Sequence, residues 1–381
     1  MPIRSSAGML AAAILTASSL LTAAPAAMAN SRHNSNPNSP TAALRWRDVT
    51  PSPRVPGSFW YVSCIGARAC LALGGGSSLT WNGSRWSSPS TLPPSAGTFD
   101  GVSCVRLNQC TAVGTTGPTT LADRWNGSRW KTQKIPTPLG SNTAILNAVS
   151  CSSSTSCTAV GYYTSQSQDY FTLAEHWNGK GWRIQRIPTP TGRALSMLNG
   201  VSCPSASYCV AVGMFSPGIS FVEIWNGTSW KVHVFARPKG AGVAGLGAVS
   251  CSSTSACTAV GEYSGKVTGF RLLPLAERWN DKTWRTQLPA VPAGAVSTAL
   301  ESVSCPSARA CIVSGNSNDT NGLMAEIWNG SRWAVQTIEP PRGTTYDNLT
   351  GLSCNTAVNC MAVGGFDQSG PNWNLLAEHY S

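Results

Sequence analysis

Fourteen cysteines in this 381-residue chain fall into seven pairs, each six positions apart: Cys64/Cys70, Cys104/Cys110, Cys151/Cys157, Cys203/Cys209, Cys251/Cys257, Cys305/Cys311 and Cys354/Cys360. Zinc sites call for two-residue spacings with histidine nearby, and redox centres for Cys-x-x-Cys. Neither pattern accompanies these pairs, so no metal and no cofactor is expected. Disulfides remain as the reading. A cysteine six residues after another, across a tight hairpin, brings two α-carbons near the separation a bridge requires. Closing so short a loop contributes about 2 kcal/mol through the unfolded chain.

A second recurrent set couples tryptophan to an acid. Trp-Asn-Gly or Trp-Asn-Asp hairpins place tryptophans at 81/86, 125/130, 177/182, 225/230, 279/284 and 328/333, and an acid stands two positions before the first of each pair. These acids are Asp123, Glu175, Glu223, Glu277 and Glu326, with Glu378 in the last unit and Leu79 in the first. A two-residue Asn-Gly turn would set Trp177 opposite Lys180 and Glu175 opposite Trp182, with Glu175, Trp177 and Trp182 on one face. Two chemistries fit such a face. The rings can fill a wedge between neighbouring units while the acid accepts a hydrogen bond from an indole or an arginine. Alternatively, Glu175/Trp182, Glu223/Trp230, Glu277/Trp284 and Glu326/Trp333 form shallow sugar sites, the ring stacking on a pyranose and the carboxylate holding hydroxyls. Repetition in almost every unit favours the first.

The elements that carry these residues follow from the repeat. Successive first cysteines are separated by 40, 47, 52, 48, 54 and 49 residues, a period in the range of propeller blades. Each unit holds four short segments rich in alternating or β-branched residues and no helical period. Segment A ends in Val-Ser-Cys, segment B reads Cys-x-Ala-Val-Gly, segment C runs into Asn-Gly, and segment D starts at the second Trp and stops at Pro-x-Pro. The seventh unit ends at Tyr380-Ser381 without a segment D, whereas Leu44–Pro53 has the Trp46, basic residue and Pro-x-Pro of one. An open solenoid would need capped ends instead. The expectation is an all-β, seven-bladed β-propeller of four-stranded antiparallel blades over residues 42–381, its ring closed by the N-terminal strand completing the last blade.

Residues Met1–Ala29 read as a secretory signal, with Arg4, an apolar run from Met9 to Leu21 and small residues up to Ala29. Residues 30–41 read as a disordered polar leader. Export fits the disulfides, and no membrane span is expected after cleavage. Removing Arg4 leaves 26 basic against 16 acidic residues, a charge of +10. The basic residues are scattered, which points to solubility and against nucleic acid.

Catalysis shows itself as residues that break a repeat. His176 and His379 occupy equivalent positions, His33 lies in the leader and His233 in a segment D, so no nucleophile and base set forms. A glycoside hydrolase or lyase would need two carboxylates in one cleft, and the sequence alone unites no pair. The non-repeated chemistry lies in the B to C loops, with Tyr163, Asp169 and Tyr170 in one of them, and in Trp60 and Trp373, which stand outside the repeated Trp positions. Variable loops on a rigid scaffold are where binding usually resides.

The Val-Ser-Cys, Cys-x-Ala-Val-Gly and Trp-Asn-Gly-x-x-Trp units resemble the repeats of secreted actinobacterial seven-bladed β-propeller proteins, which implies the fold and export but no activity. The hairpin alone is similar to that of fucose-binding propeller lectins, whose blades carry an acid shortly before Trp-Asp-Gly-x-x-Trp; this implies carbohydrate binding. The expected function is an extracellular binding protein, a monomer whose partner is a cell-wall glycan or a protein. The alternatives are an exported polysaccharide-acting enzyme and a structural cell-envelope protein.

Overall fold

The computed structural model describes residues 44–92, 97–190, 195–317, 322–367 and 373–381. The expected signal segment and leader, with His33, lie outside them. The described strands form seven four-stranded antiparallel sheets, each ordered A-B-C-D from the axis outward. Blade three is representative, with strands Thr143–Ser153, Ser156–Thr164, Tyr170–Trp177 and Trp182–Ile184. The core sits between blades. In strand B of blade three, Ala159 packs with Val113 and Ala122 of blade two, whereas Val160 packs with Leu198 and Phe221 of blade four. Both faces of strand B are covered, so its Ala-Val pair is apolar without alternation, while the outermost strand keeps only its first residue buried. Among the described residues, no helix is long and apolar enough to cross a membrane.

The ring closes as the repeat implies. Trp46–Asp48 is the fourth strand of the last blade, with Trp46 opposite Tyr380, Arg47 opposite His379 and Asp48 opposite Glu378. The rings of Trp46 and Tyr380 are 5.3 Å apart. At each seam the cysteine N–H of one inner strand donates to the serine Oγ of the previous one. Cys104, Cys151, Cys203, Cys251, Cys305 and Cys354 pair in this way with Ser63, Ser103, Ser150, Ser202, Ser250 and Ser304 at 2.9–3.0 Å. Cys64 to Ser353, at 2.9 Å, completes the circle.

All seven cysteine pairs are bonded as the spacing implies. The second cysteine of each pair, namely Cys70, Cys110, Cys157, Cys209, Cys257, Cys311 and Cys360, is at most 2% exposed. Each sits in a different one of seven hydrophobic clusters between blades. The reason is its place at the start of strand B, which neighbouring blades cover on both faces. These sulfurs therefore act as core residues as well as staples, and none belongs to an accessible site.

The Asn-Gly hairpin departs from expectation. Instead of two residues it spans four: the Asn178 N–H donates to the Gly181 carbonyl, and Asn178 Oδ1 accepts from the N–H groups of Lys180 and Gly181. The asparagine side chain builds the turn, and Gly179 takes φ 89° within it. Trp177 therefore pairs directly with Trp182, and Glu175 with Ile184. The shared face survives because both partners shift by an even number of positions. Four sequons that coincide with this hairpin, at Asn82, Asn126, Asn226 and Asn329, are accounted for by the same turn-forming contacts. The exposed outer edges carry Arg47, Lys131, Arg183, Lys231 and Arg285, charges that discourage pairing with another sheet.

If the serine ring is continuous, the closure seam is as strong as an internal one. Ser353→Ala and Ser150→Ala should each cost about 1 kcal/mol, and Trp46→Ala about 3–5 kcal/mol, as measured by urea unfolding. A much smaller loss for Ser353→Ala than for Ser150→Ala would mark the closure as weak.

Candidate functional site

Every inner strand carries a bulge four residues before its first cysteine. The register slips between Phe59 and Tyr61, Phe99 and Gly101, Leu146 and Ala148, Leu198 and Gly200, Leu246 and Ala248, Leu300 and Ser302, and Leu349 and Gly351. The glycine of each Cys-x-Ala-Val-Gly segment, or Ala-Leu-Gly and Val-Ser-Gly in blades one and six, stands opposite. A Cβ on Gly161 would collide with the carbonyl oxygen of Ile145, and the other six meet an inner-strand carbonyl in the same way. The recurrent glycine is what lets the bulged backbone approach.

The bulge residues are Trp60, Asp100, Asn147, Asn199, Gly247, Glu301 and Thr350, and this column does not keep the repeat. All seven, and the backbone beside them, line an axial cavity of about 420 Å³, together with Tyr61, Met197, Asn348 and Tyr162. Beneath them, Val62, Val102, Val149, Val201, Val249, Val303 and Leu352 form an apolar ring. The lining comes from the first halves of the inner strands, so the cavity lies toward the face where the B to C and D to A loops emerge. That face also exposes Leu139, Phe270 and Tyr346.

The bulge side chains divide by chemistry. Asn147 Nδ2 donates to the Leu198 carbonyl at 2.7 Å and Asn199 Nδ2 to Leu246 at 3.0 Å, stitching each blade to the next. Thr350 Oγ1 donates to the Trp60 carbonyl at 3.4 Å. Asp100 and Glu301 bring two carboxyls from blades two and six to one cavity. Burial pushes the Glu301 carboxyl up, opposed by a hydrogen bond from the Asn316 side chain. Burial raises the Tyr61 phenol well above its usual range, and the carboxyls of Asp100 and Glu301 add to this. Glu262, on strand B of blade five, is pushed to about 8 by burial and then by Glu301.

The residues singled out in the sequence fall in three places. Trp60 lines the cavity, half-buried. Trp373, also half-buried, sits on the loop face at the seam between blades seven and one, where its carbonyl accepts from the Gly57 N–H at 2.8 Å and its ring lies beside Gly365. On the B to C hairpin of blade three, Tyr163 stacks on Phe171 at 5.3 Å and Tyr170 on the cavity-lining Tyr162 at 5.2 Å. Asp169 accepts from the Ser167 hydroxyl at 2.7 Å.

The acid and tryptophan pairs are inside the blade interfaces. Asp123, Glu175, Glu223 and Glu326 are 0% exposed and Glu277 and Glu378 1%, which withdraws them from any surface sugar site. Trp182 and Trp230 are buried, Trp284 and Trp333 half-buried. The expected indole-to-acid bonds are absent among the described residues. The indoles of Trp230 and Trp333 instead donate to Gln185 and Gln287 of the preceding blade, while Glu277 accepts from Thr286 and Glu326 from the Ala290 N–H. Glu175 and Glu223 have no hydrogen-bond partner among the described residues. Arg124 lies 4.9 Å from the Trp177 ring and Arg278 4.2 Å from the Trp328 ring, each reaching from the preceding blade.

The Asp100 and Glu301 assignment was legible only in part: an isolated glycine in a strand signals a bulge, but nothing local says which way the bulged residue points.

Desolvation lifts the carboxyls of Glu175, Glu223 and Glu378 from 4.5 to about 8. Between those values the folded chain holds protons that the unfolded chain has lost, so stability falls as pH rises through the window. Half-buried His176 and His379, held below their usual range by desolvation, act oppositely but only below about pH 6.5. Calorimetric melting temperature should therefore fall between about pH 6.5 and about pH 8, above the histidine range, and level off beyond it. Glu175→Gln should flatten that slope and melt above the unaltered protein at the alkaline end.

No protein-family model and no curated protein sequence matches the chain. Solved structures similar to it include YCF48 bound to D1 peptide, at TM-score 0.55 and 14% identity over 91% of this chain and 97% of that one. YCF48 from Cyanidioschyzon merolae follows at TM-score 0.55 and 12% identity, covering 88% and 98%. The WD40 repeats of RRP9 reach TM-score 0.56 at 11% identity, again covering 88% and 98%. The SapL1 lectin in complex with alpha methyl fucoside overlays more loosely, at TM-score 0.45 and 12% identity over 70% and 91%. The likeness to the YCF48 structures and to RRP9 is one of fold alone, and the chain itself is a seven-bladed β-propeller.

Proposed function

We propose that the chain is an exported carbohydrate-binding protein that takes its ligand at the loop-face mouth of the axial channel. One observation carries this reading. The repeat is broken at the bulge column, where Trp60, Asp100, Asn147, Asn199, Glu301 and Thr350 surround one cavity. A half-buried indole beside amides, a hydroxyl and carboxyls complements a pyranose, with its apolar face and rim of hydroxyls. Seven disulfides suit an oxidising compartment, and the loop-face aromatics Trp373, Tyr163 and Tyr170, with Asp169, extend the surface around the channel.

Oligosaccharide binding by calorimetry or on a glycan array separates the channel from the blade edges. Trp60→Ala should weaken binding at least tenfold, about 1.4 kcal/mol. Glu175→Gln should leave it unchanged. The reverse pattern, or no binding of any glycan at low and at high salt, would sink the channel reading.

The pairing of Asp100 and Glu301 favours one second reading, a polysaccharide-cleaving enzyme in which one carboxyl acts as acid and the other as base or nucleophile. Incubation with oligosaccharides and product analysis decides it: cleavage abolished by both Asp100→Asn and Glu301→Gln would establish it, and intact oligosaccharides would exclude it for those substrates.

A further inference from the structure

We propose that the channel selects a glycan bearing a free, protonated amine, a hexosamine with an unacetylated nitrogen, over neutral or acidic sugars. This rests on the channel reading above and adds the identity of the group recognised. The chain has a formal net charge of +11, yet the cavity is lined by two carboxyls, Asp100 and Glu301, and by no lysine, arginine or histidine. Its positive charge lies elsewhere.

The hydrogen-bonding atoms of the wall have the same bias. Asn147 and Asn199 each spend an amide N–H on the backbone of the next blade, and each keeps Oδ1 as an acceptor. Thr350 donates its hydroxyl proton to the Trp60 carbonyl. Asn348 is turned the other way, its Oδ1 accepting from the Gly365 N–H at 2.8 Å. The acceptors left at Asn147, Asn199 and Thr350 stand in the same wall as the two carboxyls. An ammonium group is the complementary ligand, with three donors and no acceptor, whereas an acetamido group or a carboxylate would bring acceptors to a wall already supplied with them.

A third carboxyl stands behind the first two. Glu262 is 7% exposed. It occupies the strand B position that supplies Tyr162 to the cavity in blade three, and the Glu301 charge opposes ionisation of its carboxyl. Two desolvated carboxyls that oppose one another are left uncompensated by a neutral sugar and compensated by a cation. Trp60, Tyr61 and Tyr162 supply aromatic faces to the same cavity, and such faces attract a cation as well as the C–H face of a pyranose.

The test is calorimetric titration with a glucosamine oligomer, its fully N-acetylated counterpart of the same length, and trilysine, at one ionic strength. The glucosamine oligomer should bind at least tenfold more tightly than the other two. Asp100→Asn and Glu301→Gln, which alter opposite sides of the cavity, should each weaken it about tenfold, change binding of the acetylated oligomer less than twofold, and keep the unaltered melting temperature. Equal or tighter binding of the acetylated oligomer overturns amine selection and leaves glycan binding standing. Equal binding of trilysine overturns the sugar as carrier of the amine. Glucosamine binding that survives both substitutions overturns the carboxyl assignment, and failure of every oligosaccharide overturns the channel reading itself.

Discussion

An inner strand of a propeller is the edge of its own sheet, with backbone donors that no neighbouring strand can satisfy. Here the first cysteine N–H meets the serine Oγ of the preceding blade, and the arrangement is the same at all seven seams, including the one where residues 64 and 353 meet. That single contact sets the spacing of the inner strands. The disulfide ties each donor cysteine to a partner fixed in the core of strand B, so the donor is presented in the same place in every blade. Channel width, the position of the bulges and the completion of the last blade by Trp46–Asp48 all depend on this circle.

Outside that circle the seams are filled by tryptophan and by desolvated acids. The wedge between blades widens outward, and paired indoles with centroids 5.4–6.0 Å apart occupy it. The acid beside them costs stability whenever it ionises, because among the described residues no hydrogen bond compensates Glu175 or Glu223. A protonated carboxyl is the form these interfaces accept. The apparent sugar motif of the hairpin is thus an interface motif, and the resemblance to lectin blades ends where the acid is covered by the preceding blade.

The axial site follows from the bulge. Adding one residue to each inner strand rotates a side chain out of the blade core and into the channel, while the opposing glycine makes room for the displaced carbonyl. Between the bulge and the first cysteine, every inner strand keeps to small, apolar or serine residues, with Tyr61 as the exception. The bulge column itself varies from blade to blade. A wall of seven independently chosen residues around one cavity is a means of building an asymmetric site on a symmetric frame, and Trp60, Asp100 and Glu301 are where its asymmetry concentrates.

The amino-acid sequence by itself determined the hairpins, the seven-unit period, the pairing of cysteines and the split last blade. Each of these is written within about fifty residues or in the comparison of one unit with the next, and period-two alternation and turn chemistry act at that range. It also isolated Trp60 as a residue out of pattern. Repetition favoured burial of the acid and tryptophan face between blades but left the sugar-site alternative open, and nothing in the sequence showed that the second cysteine of each bridge is sealed there too, since burial of a strand face depends on a neighbour that the strand does not encode. Nor did it unite Asp100 with Glu301. Those residues are two hundred positions apart and meet only because seven seams close on one axis and a bulge at each turns its residue inward.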